Sequence, residues 1–194
     1  YHKDFALHVL TCGSDLERME KYDESMSNLG IKYQNVFHIG YDEWGGSDML
    51  GPGGGQKINL ILRYLEDSKV PDYDVVLFTD GYDAFFTRNA ETIVGRFLGF
   101  KKDMVFSAEK NLWPDQSVVF PPSHTIYRYL NSGTFIARAG ELRRFLQPVA
   151  DSADDQLFMQ RQFLTGRFNA VLDVEGYIFQ THEEQLVMQS GMLY

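Results

Sequence analysis

Along the chain, apolar positions alternate between unbroken runs and helical spacing. From Val75 to Phe78 every residue is apolar, and the run ends at Thr79 and Asp80. A short, mostly β-branched or aromatic run of this kind reads as a strand buried on both faces, as in a mostly parallel sheet. Phe5 to Leu10, Lys32 to Ile39, Met104 to Ala108 and Gly133 to Ala139 read as further strands, with short ones at Ala170 to Asp173 and Tyr177 to Gln180. Between them the period changes. Ile58, Ile61, Leu62 and Leu65 share one face of a helix predicted over Gln56 to Asp67. A first helix starts at Ser14 or Asp15 and stops near Leu29, where Gly30 ends it. Others are predicted at Thr92 to Leu98, from Gly140 to Leu146, and over Asp154 to Leu164, whose acidic first turn suits the helix macrodipole.

Strand–helix alternation in the first half predicts an α/β domain with parallel pairing, and the closely spaced strands of the second half predict added antiparallel pieces. Two long polar segments interrupt the pattern: the glycine-rich Gly40 to Gly55, which holds Trp44, and Asn111 to Tyr127, which holds Trp113 and three prolines. The expectation is a single mixed-sheet α/β domain over residues 1–194.

Composition changes this picture little. The chain has 194 residues, 44% hydrophobic and 23% charged, which is enough for one buried core. A net charge of −9, with no basic stripe, argues against a nucleic-acid surface. Cys12 is the single cysteine, so no internal disulfide can form. No apolar run approaches the roughly 20 residues of a membrane-spanning helix, so no membrane span is expected.

The candidate chemistry begins where the Val75 run stops. Asp80 and Asp83 leave a strand end together, and Gly81 supplies the turn. Open α/β sheets bind ligands at that edge, and hard divalent cations take oxygen ligands of this type. The same two residues also suit a helix cap or a turn. Tyr82, between them, can stack on a base or pack. Gly51-Pro52-Gly53-Gly54-Gly55-Gln56-Lys57 fails both the Walker A and the dinucleotide spacings. What it retains is a glycine loop delivering Lys57 to a helix N-terminus, a placement that suits a phosphate; the alternative is a solvated surface lysine. Asn131, in Leu130-Asn131-Ser132-Gly133, lies in a turn-like segment ahead of a strand and offers an amide to a sugar hydroxyl. Of Asp154 and Asp155, one is expected to cap the helix and the other to face a cleft. Trp44 and Trp113 lie in polar loops, where an indole stacks on a sugar or base or covers a core edge. The five histidines show no ligand spacing.

Taken in order, GGGQK, LFTDGYDAFF, FSAEKNLWPD, YLNSGTFIARAGEL, DDQLF and LDVEGYIFQ closely resemble the glycosyltransferase domain of the procollagen lysyl hydroxylases, over about Leu7 to Gln180. The resemblance implies a GT-A-type fold, Mn²⁺ (with Mg²⁺ as the alternative), and a UDP-glucose or UDP-galactose donor. It implies transfer to hydroxylysine or galactosyl-hydroxylysine of a collagen-like acceptor. Other implied features are a larger polypeptide carrying a hydroxylase domain, or a homodimer. The implied location is the endoplasmic reticulum lumen for an animal protein, or host cytoplasm or virion for a viral one. By motif, Asp80 and Asp83 match the metal pair, Tyr82 the aromatic beside the uridine, Lys57 the lysine near the diphosphate, and Thr11 the strand end that holds the nucleoside. Trp44 and Trp113 match cleft tryptophans, Asn131 the sugar-side turn, and Asp154 and Asp155 the acidic run needed for transfer. The family's third metal ligand, a histidine in His-Gly-Asn, is not in this sequence, and truncation at the C-terminal end is the expectation. Two rivals stand beside this reading: a UDP-sugar transferase with another acceptor, and a non-catalytic domain that binds nucleotide-sugar or dimerises.

Overall fold

The computed structural model describes residues 5–13, 15, 17, 19–30, 36–39 and 54–182. Six strands, β1 (Leu7–Cys12), β2 (Val36–Ile39), β3 (Val75–Asp80), β4 (Met104–Glu109), β5 (Tyr129–Arg138) and β6 (Ala170–Asp173), form one sheet in the order β2-β1-β3-β5-β4-β6. Only β5 runs antiparallel to its neighbours. The pairs β1–β2, β1–β3 and β4–β6 are parallel. The helices are α1 (Glu20–Leu29), α2 (Gly55–Asp67), α3 (Ala90–Gly99), α4 (Ala139–Phe145) and α5 (Asp155–Leu164).

Alternation along the central strands divides the core into two layers. Val75 and Leu77 of β3 join Val105 and Ile136 against α1 and α3, through Tyr22, Met26, Leu29, Ile93 and Phe97. Val76 and Phe78 join Phe106 and Phe135 against α2, α4 and α5, through Ile58, Ile61, Leu65, Leu142, Phe145 and Met159. Both faces of β3 are thus covered, which is why its sequence is continuously apolar. On the second face Phe78 stacks on Phe135 with ring centroids 5.2 Å apart. Phe106 lies 5.5 Å from Phe135 and 5.2 Å from Phe145. Each of these rings is fully buried, and such pairs add to the energy of area burial.

Two expectations need correction. Tyr177–Gln180 is no strand. The amides of Tyr177, Ile178 and Phe179 turn inward to the buried carboxylate of Asp173 at 2.9, 2.6 and 2.8 Å. A carboxylate satisfies three amides at once, so a sheet partner is not needed. Second, β5 starts at Tyr129, so Asn131 lies within the strand and not in a turn ahead of it. Asn131 pairs with Ser107 where the β4–β5 register shifts, an irregularity that absorbs the turn-prone residues. The expected antiparallel piece of the second half is β5, while β6 runs parallel to β4. The start of α1 is also later than expected, at Glu20. The first residues of the predicted second strand, most of the Gly40 to Gly55 loop and Trp44 lie outside the described residues.

Candidate active site

Strands β1, β3 and β4 end at Cys12, Asp80 and Glu109 along one edge of the sheet. Cys12 is directly paired with Asp80. Because β5 runs the other way, its beginning, Asn131 to Gly133, reaches the same edge. A Cβ built on Gly133 would lie 2.8 Å from Asp80 Oδ2 and 3.0 Å from Asn131 Oδ1. A side chain there would displace the carboxylate, so only glycine lets β5 pass so close.

Lys57 is the centre of the edge. It sits in the first turn of α2 with 5% of its surface exposed, so the surface-lysine alternative does not apply. Its Nζ lies 2.7 Å from Asp155 Oδ2 and 3.1 Å from Asp80 Oδ1, over the Phe78 ring. The Asp155 contact is a close ion pair, off-axis for a hydrogen bond. Gly54 makes the approach possible. Its φ of 126° belongs to glycine, and a Cβ there would sit 2.1 Å from Asp155 Oδ1. Gly55 donates its amide to Ala153 O at 2.8 Å, tying α2 to the residues before α5.

The charges are mutually supporting but unequal. Burial opposes the charge on Lys57, but Asp155 and Asp80 outweigh it and hold the ammonium protonated beyond the ordinary lysine range. Burial opposes ionisation of Asp155 as well, yet Lys57 and the Ser132 hydroxyl keep its carboxyl below the usual carboxylate range. Asp80 is pushed up to about 6, chiefly by burial, with Lys57 opposing and the charges of Asp155 and Asp83 adding. Burial pushes the Cys12 thiol up, so it stays protonated here.

The other expected residues fall into two groups. Asp154 is the N-cap of α5, and its Oδ1 accepts from Leu157 N at 2.7 Å; its side chain closes the helix and Asp155 faces the edge. Asp83 is exposed, a short turn beyond Asp80. The Tyr82 ring lies against Gly13, and its hydroxyl accepts from Asp15 N at 3.1 Å. Thr11 is fully buried on β1, with Oγ1 in hydrogen-bond contact with no described residue. Asn131 is held by three contacts. Its Oδ1 accepts from Gly133 N at 2.9 Å and from Ser107 Oγ at 3.2 Å, and its Nδ2 donates to Glu109 Oε2 at 3.4 Å. Trp113, 58% exposed, stands on the loop between β4 and β5.

Sequence reading did not single out Glu109, Gln156 or Gln160 as site residues, and took Ser132 and Gly133 only as the small residues beside Asn131. The two glutamines lie one helical turn apart directly after the Asp154-Asp155 pair, and that spacing was the available signal.

Asp80 and Asp83 fit a divalent cation in chemistry: both are oxygen donors, one partly open and one exposed, and the charge of Asp83 acts on Asp80. Among the described residues no group of three or more His, Cys, Asp or Glu side chains converges. A cation held by these two residues would find in them only part of a coordination shell.

Comparison with known proteins agrees with this architecture. The PLOD GT domain family matches residues 3–189. A procollagen-lysine,2-oxoglutarate 5-dioxygenase of Drosophila melanogaster is 35% identical over 82% of the chain and 22% of its own length. A multifunctional procollagen lysine hydroxylase and glycosyltransferase of Caenorhabditis elegans is 31% identical over 85% and 23%. Uncharacterized protein R699 of Acanthamoeba polyphaga mimivirus is 37% identical over 71% and 31%. The chain thus spans less than a third of the curated relatives it matches. With a match across nearly all its residues, a mainly parallel sheet flanked by helices and the acidic strand end in place, this chain belongs to the PLOD GT domain family, a family of glycosyltransferase domains.

Proposed function

We propose that this domain transfers glucose or galactose from a UDP-sugar to hydroxylysine or galactosyl-hydroxylysine in collagen-like polypeptide. The observation that carries the reading is the Asp80–Lys57–Asp155 cluster at the sheet edge where α/β folds bind ligands. The relative from Caenorhabditis elegans, named for both hydroxylase and glycosyltransferase activity, supports the acceptor class.

The acceptor hydroxyl attacks the anomeric carbon as the bond to the diphosphate breaks, and the hydroxyl proton passes to the departing phosphate or to solvent. Negative charge thus grows on the departing UDP and positive charge on the sugar ring. Lys57 cannot deprotonate at neutral pH in its present setting, and supplies a fixed positive charge beside the leaving diphosphate. Asp155 stays ionised and offers its carboxylate to the sugar side, where it steadies the developing cation or orients the hydroxyl. Asn131 and Glu109, locked to each other, present an amide and a carboxylate on the β4–β5 side. Tyr82 lines the nucleoside side, and Trp113, more than half exposed, contributes an aromatic wall. Mn²⁺ or Mg²⁺, held by Asp80 and Asp83, would neutralise diphosphate charge when bound. For an animal protein we place this chemistry in the secretory pathway; among the described residues no helix is long and apolar enough to cross a membrane.

The test is a donor screen against collagen peptides bearing hydroxylysine or galactosyl-hydroxylysine, with and without Mn²⁺. Metal-dependent transfer that is lost in Asp83→Ala supports the reading. Absence of any Mn²⁺-dependent UDP binding overturns it in favour of a different role for the cluster.

A further inference from the structure

Gln156 and Gln160 both donate their side-chain amides to one acceptor, the carbonyl oxygen of Trp113, at 3.0 and 2.8 Å. Gln160 is fully buried, and its Nε2 also donates to Leu130 O at 3.1 Å. Its Oε1 has no hydrogen-bond partner among the described residues. A buried amide oxygen without a donor opposes folding, and a methionine of similar length would fill the space without that penalty. Its value at this position is to fix a backbone carbonyl.

Gln156 extends the same arrangement. Its Nε2 donates to Glu109 Oε1 at 2.7 Å, and its Oε1 accepts from Ser132 N at 3.2 Å. One side chain therefore ties the end of β4, the start of β5 and the Trp113 loop together. The preceding residue, Asp155, is the partner of Lys57. Arg161, one turn further along α5, adds an ion pair to Asp115 in the same loop. The fixed segment carries an indole that is more than half exposed. A loop braced by one buried and one half-buried amide that still holds its aromatic ring in solvent is arranged to present that ring.

We infer that Gln156 and Gln160 are positioning residues, which set the Trp113 loop at a fixed distance from the Asp155–Lys57–Asp80 cluster and so shape the acceptor side of the site. The inference rests on the proposed function only in taking that loop as the acceptor wall. Neither glutamine is required to touch a reacting atom.

The test uses Gln156→Met, Gln160→Met and the double variant, with two readouts. Trp113 fluorescence, isolated in a Trp44→Phe background, reports loop position without any turnover. Loss of two bonds to one carbonyl predicts that acrylamide quenching of Trp113 rises about twofold in the double variant. Steady-state kinetics predict an acceptor KM raised roughly tenfold, with KM and kcat for donor hydrolysis within about twofold of wild type. Unchanged quenching and unchanged acceptor KM overturn the inference. A parallel fall of donor hydrolysis and transfer, with a lowered Tm, also overturns it, because the amides then serve only the fold. If the wild-type protein transfers no sugar, the functional reading fails, and the quenching measurement still decides whether the glutamines hold the loop.

Discussion

The end of β3 and the start of α5 each offer two neighbouring aspartates, and in each pair the two residues have different surroundings. Asp80 and Asp155 point to Lys57, while Asp83 is exposed and Asp154 caps its helix. The pairs differ in one respect. Asp155 is nearly enclosed and held in its charged form by the lysine, whereas Asp80 is partly open and feels two further carboxylates. Identical side chains thus become an anchored anion, a titrating one, a solvent-facing one and a structural cap. Burial and the nearest cation decide which.

The comparison breaks most completely at Lys57. Lys57→Met leaves Asp80 and Asp155 gathered without their cation, and removing one partner from a buried ion pair costs about 3–5 kcal/mol. Chemical denaturation should register that loss together with loss of transfer. Gly54→Ala attacks the same contact from the backbone side, through a strained φ and a collision with the Asp155 carboxylate. Its stability should fall by about 1–3 kcal/mol, and a crystal structure should show Asp155 moved away from Lys57.

The two aspartates of α5 separate next. Asp155→Asn should lower kcat by about a hundredfold or more. Asp154→Ala should instead cost about 1 kcal/mol of stability through the lost cap, with kcat changed less than in Asp155→Asn. Equal kinetic effects from both would erase the distinction drawn here.

The smallest effect is in pH. Asp80 is raised to about 6 in the folded protein, above the roughly 3.9 of an unperturbed aspartate. Its contribution to stability is therefore full below about pH 4 and lost as pH rises through about 6. Asp155 is lowered, so its contribution is present above the unperturbed value and is lost as pH falls through its folded one. A cation competes with the proton on Asp80, and Mn²⁺ affinity should drop about tenfold per pH unit below about 6. Isothermal titration at several pH values checks this. An affinity that does not change between pH 5 and pH 7 (about one unit either side of the predicted midpoint) would remove Asp80 from the ligand set.

Much of this was legible in the sequence, for identifiable reasons. The buried strands announced themselves because burial on both faces leaves no polar positions, so Val75–Phe78 and Met104–Phe106 could hardly be read otherwise. Lys57 was visible through its glycines, and the division of labour between Asp154 and Asp155 through helix-capping rules. What could not be read depended on contacts distant in sequence. Asp173 converts a strand-like Tyr177–Phe179 segment into a turn by offering a better partner than a neighbouring strand. Asn131-Ser132-Gly133 has turn chemistry, but pairing with β3 and β4 overrides it. The Lys57 ion pairs bridge residues 23 and 98 positions away, which no local pattern encodes.

The single reversed strand has a consequence for how such a domain changes over time. Because β5 begins where β4 ends, the segment between Glu109 and Tyr129 is an arch with both feet on the site's rim. Phe120 anchors that arch in the core, so changes of length that leave the strands and helices undisturbed are confined to its exposed positions. Selection can therefore reshape the exposed part of this rim while the buried lysine and its two aspartates stay where they are. In this fold, the exposed rim and the buried ion cluster can evolve on separate segments of the chain.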